Sequence, residues 1–465
     1  MRAFAVTGIV VGAVLGCRPS DVLSVQPPSG VEAGSALQSQ TGAEGAFDVA
    51  EGQLFSALDG SGNVVEWASL LTDEFTFSGF SYNAPQANVD ARTTAGGGGF
   101  QEPGDSPWGQ LLQARSALLL ALPLLARYEP TRAQSSVGEA YALVGYAELF
   151  LAESYCAGTP LDAVAPAGGI QYGTPLTTDS LFGVAEAHFD SAVADAYGND
   201  SVMALASVGL GRVLLDRGQY ASAATAVANV STGFVFNVVL QPNDDAAPYT
   251  PSLYSVAYEF FYYRLFNVAD REGENGLNFV SAQDPRLALD SSATTEDGGT
   301  WYLPTKFESN LAYIPLATGV EAGLIAAEAA LQTNPGTWLA DLNALRAAAP
   351  STYLALVTGP PPLTDPGTDS GRVSLMFRER AFWLFGTGTR LGDLRRLVRQ
   401  YGRDQSTVFP TGPYANGTNP LLPAPIPNYG ADVDLTLPTP AGLVAVEGTI
   451  TNPSYKGCLV STKTA

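Results

Sequence analysis

The sequence has little histidine, lysine, cysteine or positive charge. One histidine, His188, excludes a zinc site built from several imidazoles, and any Ser-His-Asp triad would have to use it. It lies in LFGVAEAHFDSAVADA on an amphipathic helix, where a structural role is expected. The chain carries 23 Lys and Arg against 45 Asp and Glu, a formal charge of −22. Such a surface repels nucleic acid over long range, so no nucleic-acid partner is expected. No phosphate-binding loop follows a strand, and the lysine-free TAGGGGFQEPG (94–104) reads as flexible loop. DGSGNVVEW (59–67) begins like an EF-hand, but its sixth position is Val64 and its twelfth Leu70. A turn between helices is the expectation there, with no metal and no cofactor. An acid pair for glycoside hydrolysis stays open, because 45 acids make chance pairs inevitable.

Long hydrophobic runs are missing as well. AFAVTGIVVGAVLG (3–16) falls short of the roughly 20 residues that span a bilayer, and no later segment is read as long enough. The run suits the apolar part of a signal peptide (1–16). Val14-Leu15-Gly16-Cys17 resembles the bacterial lipobox, which implies cleavage before Cys17 and lipid on its thiol and new amino terminus. The alternative is an ordinary secretory signal with a chance cysteine. Arg18 rather than Asp follows Cys17, which permits transfer to the outer membrane. Residues 17–42, rich in Pro, Ser, Gly and Gln, read as the lipidated cysteine and a flexible tether. Cys156 and Cys458 remain, and in an extracytoplasmic chain a disulfide between them is expected, although spacing alone does not establish it.

What is present is apolar and helical. Apolar residues make up 46% and charged residues 15%, enough for a large core. Helical periodicity runs through 108–129 and 136–156, then near 179–197, 201–216, 218–230, 319–333, 336–348, 372–385 and 389–402. Leu210-Gly211, Leu214, Gly218, Tyr220 and Ala223 match the tetratricopeptide spacing of large and small residues. Strand-like pieces are short, at 233–240 and 442–450. Long Gly/Pro-rich loops are expected at 78–107, 157–178, 241–252, 267–312 and 403–440, and loops of that length tend to be functional.

Seven arginines (378, 380, 390, 395, 396, 399 and 403) fall within 26 residues of RERAFWLFGTGTRLGDLRRLVRQYGR. Asp393 and Glu379 offer local pairing, so a helical hairpin whose arginines bridge outward to acidic neighbours is expected rather than an anion site. The same stretch resembles the C-terminal signature of SusD/RagB-like outer-membrane lipoproteins. LLTDEF (70–75), YGTPL (172–176), DPRL (284–287), EAGLIAAEAAL (321–331) and LNALR (342–346) resemble further passages of that family in order, over residues 43–465.

The resemblance implies a mainly α, SusD-like fold: tetratricopeptide-like hairpins at about 43–300, a C-terminal part at about 301–465, long irregular loops and few strands. It implies a non-catalytic, surface-exposed lid on a SusC-like TonB-dependent transporter, lipid-anchored in the outer membrane, delivering oligosaccharide or peptide. The competing readings are an outer-membrane glycoside hydrolase and a structural repeat adaptor without a small ligand. A sugar would stack its C–H face on exposed rings, so the candidate ligand residues are Phe80, Tyr82 with Asn83, Trp108, and Trp301-Tyr302 beside Asn310.

Overall fold

The computed structural model describes residues 37–60, 62–78, 85–90, 107–128, 135–155, 159–161, 163–164, 170–171, 173–240, 255–295, 299–307 and 312–411. Cys17, Phe80, Tyr82, Asn83, Cys156, Asn310, Cys458 and the piece 442–450 lie outside the described residues.

Helix α1 (Gln40–Asp59) starts where the Ser39 hydroxyl accepts the Gly42 N–H at 3.0 Å, so it already occupies 40–42 of the expected tether. Asn63 caps α2 (Val64–Leu71) by accepting the Glu66 N–H at 2.8 Å. DGSGNVVEW therefore forms the turn between two helices, as its spacing predicts. Then come α3 (Pro85–Asp90), α4 (Pro107–Tyr128), α5 (Ser136–Ser154), α6 (Thr178–Asp195), α7 (Asp200–Asp216) and α8 (Tyr220–Val227). The chain continues through α9 (Gly319–Thr333), α10 (Trp338–Ala347), α11 (Asp369–Trp383), α12 (Arg390–Arg399) and α13 (Gln405–Val408). Each of α5 to α8 packs on its predecessor in chain order, α4 packs on α1, and α9 closes on α8 and α10.

The tetratricopeptide spacing has its physical cause in α7 and α8. A Cβ on Gly211 would stand 2.5 Å from Val227 Cγ1, so only glycine lets these helices approach. Tyr220 fills the gap, and its hydroxyl also donates to Gln400 Oε1 at 2.9 Å, tying the repeat to α12's end.

Helix α4 corrects one expectation. Among the described residues it is the single helix long and apolar enough to cross a membrane. Here it is a core helix: Leu111, Leu118 and Leu125 are buried, and Arg115 pairs with the buried Glu148 at 2.6 Å.

Strands are short. β1 (Phe75–Phe77) pairs antiparallel with β3 (Phe266–Val268), β2 (Val235–Val238) with β6 (Ile314–Thr318), and β4 (Leu289–Thr294) with β5 (Thr300–Pro304). Two-residue ladders lie between 159 and 176. The expected loop 267–312 is thus partly a hairpin, β4–β5. One large core runs through α1 to α8 and the strands, and a second, with Trp338, Met376 and Trp383, joins α9, α10 and α11.

Candidate functional site

The arginine hairpin turns inward, not outward. Arg380, Arg390, Arg395 and Arg396 are all buried. Arg390 grips Asp73 of LLTDEF with two bonds of 2.8 and 3.0 Å. Arg396 reaches Glu328 of EAGLIAAEAAL at 3.0 Å, Asp216 at 2.9 Å and Asp393 at 2.7 Å. Arg380 holds both oxygens of Asp393 at 2.8 Å. Arg395, Arg378 and Arg403 donate instead to the Glu153 carbonyl, Asn278 Oδ1 and the Ser370 carbonyl.

Glu379 is not paired with its neighbouring arginines, as local spacing suggested. It accepts from Arg286 of DPRL at 2.7 Å and from Arg346 of LNALR at 2.9 Å. Four of the five outlying passages therefore meet the arginine segment as one buried ion-pair skeleton. Burial opposes ionisation of Asp393, but Arg380 and Arg396 hold it down to about 2. Glycines 386 and 388, with φ of +62° and +77°, make the turn between α11 and α12, and the Gly386 N–H donates to Glu74 Oε1 at 3.1 Å. This region is structure: Arg378, Arg380, Arg390, Arg395, Arg396 and Arg403 each already donate to an oxygen of the protein.

His188 is also structural: its Nδ1 lies 2.7 Å from Glu148 Oε2, on the carboxylate that Arg115 holds. Among the described residues, no group of three or more His, Cys, Asp or Glu is arranged to hold a metal ion.

The exposed chemistry lies elsewhere. Ser255 caps a short turn, Val256–Tyr258, that widens into a π-helix over Glu259–Tyr263 and ends at Arg264 with φ 51°. A π-turn adds a residue per turn, and such turns recur at functional sites. Phe260 points inward, with no exposure, against Phe75 at 4.8 Å and Phe307 at 5.5 Å. The next three rings point out: Phe261, Tyr262 and Tyr263 are 43%, 65% and 41% exposed. Tyr258 lies beneath, stacked on Tyr262 at 5.0 Å and edge-on to Tyr263 at 5.2 Å. The result is a braced aromatic shelf open to solvent, with flat faces and free phenol edges.

Below the shelf sits an acidic pocket of the core. Asp59, Glu66 and Glu259 are buried, with Glu66 close enough to Glu259 for their charges to repel and Asp59 accepting the Val256 N–H at 2.9 Å. Burial, then mutual repulsion, pushes Asp59 up to about 8 and Glu66 well above the usual carboxylate range, while burial alone raises Glu259 to about 7.

Two of the sequence-expected ligand residues lie beside this shelf. Trp301, on β5, is only 4% exposed: its indole N–H donates to the Phe266 carbonyl at 3.1 Å, and the Arg264 guanidinium covers its ring at 4.9 Å. It braces the shelf rather than offering a face, which corrects the expectation of an exposed ring. Tyr302 is half-buried, its N–H donating to Asn267 Oδ1 at 2.8 Å. Trp108, at the start of α4, is half-buried against the main core. The Ser78 hydroxyl donates to the Arg264 carbonyl at 2.9 Å, so β1 leads to the shelf's edge just before residues 79–84. Sequence reading missed the shelf itself. Its signal was YEFFYY (258–263), five rings in six residues, too many for one buried face.

No family model and no curated protein sequence matches the chain. Solved structures do. A SusD superfamily protein from Bacteroides vulgatus ATCC 8482 superposes with TM-score 0.62 at 17% identity, over 90% of this chain and 99% of that one. The surface glycan-binding protein A from Bacteroides thetaiotaomicron gives 0.57 at 12% identity, over 90% and 100%. A SusD-like carbohydrate binding protein from Bacteroides vulgatus ATCC 8482 gives 0.52 at 18% identity, over 76% and 83%. The mainly helical architecture with few short strands described above is the SusD-like fold.

Proposed function

We propose that this protein binds glycan at the cell surface without catalysis, holding an oligosaccharide on the shelf of Phe261, Tyr262 and Tyr263. The observation that carries the reading is a set of solvent-facing rings braced from below in a SusD-like fold. Pyranose C–H faces complement flat rings, while hydroxyls need polar partners at the rim. Tyr82 and Asn83, which the sequence offers as ligand contacts, belong to the same proposal, with Tyr302 at the shelf's border.

In the same reading, lipid on Cys17 anchors the chain in the outer membrane and a Cys156–Cys458 disulfide ties down the C-terminal segment. The chain serves as a lid that passes its ligand to a SusC-like TonB-dependent transporter. A Cys17→Ser chain retained by membranes after a carbonate wash would remove the anchor.

Binding is tested by affinity electrophoresis and calorimetry of the wild type against a panel of soluble oligosaccharides. Tyr262→Ala should weaken binding of the cognate glycan by about 1–3 kcal/mol, the size of one or two lost stacking contacts. Unchanged affinity, or hydrolysis of the glycan by purified protein, defeats the reading. Pull-down from mildly solubilised outer membrane should bring a large β-barrel.

A further inference from the structure

A cavity of about 480 Å³ opens between β2, β6 and the turns Pro285–Leu287 and Thr305–Phe307, within the range of small-ligand sites. Val235, Leu287, Pro315, Leu354 and Leu356 supply apolar wall. Two of its polar lining residues are already committed. Arg286 is spent on Asp284 and Glu379, and the Tyr353 hydroxyl donates to the Trp383 carbonyl.

Four polar lining residues keep capacity to spare. Among the described residues, the side chains of Asn237, Thr305 and Tyr313 have no hydrogen-bond partner. Lys306 donates to the Phe385 carbonyl, lies 4.9 Å from the Phe307 ring centre, and is in no ion pair. An ammonium has three donors, so two remain. The carboxylate of Glu74 attracts Lys306, but its oxygens accept from the Gly386 N–H and the Ser69 hydroxyl. Burial consequently lowers the Lys306 amine to about 8. A half-buried cation whose nearby carboxylate is engaged by other donors is incompletely compensated, and an incoming anion relieves that cost.

We propose that this cavity is a second ligand site, separate from the aromatic shelf, that takes a small hydroxylated carboxylate such as a sugar acid. The carboxylate pairs with Lys306, the hydroxyls meet Asn237, Thr305 and Tyr313, and the apolar carbon face lies on Leu354 and Leu356.

The test is calorimetry of the full chain with D-galacturonate and with its neutral counterpart galactose. Galacturonate should bind about tenfold tighter or better, the size of one charged hydrogen-bond contact. Lys306→Met should abolish that preference. Tyr313→Phe, at a half-exposed position where no bond is lost on folding, should weaken galacturonate several-fold and serves where the lysine variant does not fold. Equal affinities, no binding of the acid, or a preference that survives Lys306→Met overturns the proposal. So does loss of galacturonate binding in Tyr262→Ala, which would place the acid on the shelf and leave the glycan-binding reading standing.

Discussion

The arginine hairpin and the shelf both bury carboxylates, and they treat them in opposite ways. In the hairpin each acid faces a guanidinium: Asp73 with Arg390, Asp393 with Arg380 and Arg396, Glu379 with Arg286 and Arg346. Under the shelf, Asp59, Glu66 and Glu259 face one another, and among the described residues none of them is in an ion pair. The first arrangement keeps charge in the core by compensating it; the second keeps acids in the core by keeping them protonated. The same residue type is thus rigid scaffold in one place and a proton-dependent support in the other.

The sharpest way to break this comparison is Glu379→Ala, which strands Arg286 and Arg346 as buried cations. The expected loss is about 3–5 kcal/mol of stability by denaturant titration. A loss below about 1 kcal/mol would mean that the skeleton is not holding the C-terminal helices.

A smaller effect is expected from pH. A carboxyl whose folded pKa is raised binds its proton more tightly when folded. Its stabilisation is full below the unfolded value, 3.8 for Asp59 and 4.5 for Glu259, and falls as pH rises towards the folded value. The Asp59–Glu66–Glu259 unit should therefore lower stability between about pH 5 and pH 8, titrating as a group. Asp393 acts at the other end: held at about 2, it contributes stability that is lost as pH falls through that value. Glu259→Gln should gain about 1–2 kcal/mol over the wild type at pH 8 and little at pH 4.5. Parallel pH profiles for the two chains would refute the protonated-support account.

The smallest stability effect belongs to the shelf's outer surface. Tyr262→Ala, at a ring 65% exposed, should move stability by less than about 0.5 kcal/mol while reducing glycan affinity. A large drop in Tm would make the ring a structural element and the affinity change uninformative.

Much of the fold was legible because it is local. Period 3.6 located α4 to α12, and the small residue at 211 was readable as a close helix approach. The helices α1 and α2 were legible only as the unbounded flanks of the turn at 59–67, because a polar, glycine-containing run hides the start of the first and the second has only eight residues. The quoted family passages were legible as motifs but not as partners. Local spacing offered Glu379 its neighbouring arginines, whereas its true partners stand 93 and 33 residues away.

The candidate site was half legible. The aromatics at 301 and 302 lie beside the shelf, but Trp301 faces in. The outward rings are those of the π-turn, whose geometry leaves no periodic trace in six residues.

By itself, the sequence determined the helical content, the tetratricopeptide packing at Gly211 and the supply of arginines and acids. Each follows from interactions within a few turns of chain. Only the tertiary structure decided which acid each arginine neutralises, which acids stay protonated, and which aromatic rings face water. Those outcomes depend on what covers a side chain, and the covering groups come from segments as far apart as Asp73 and Arg390, 317 residues along the chain.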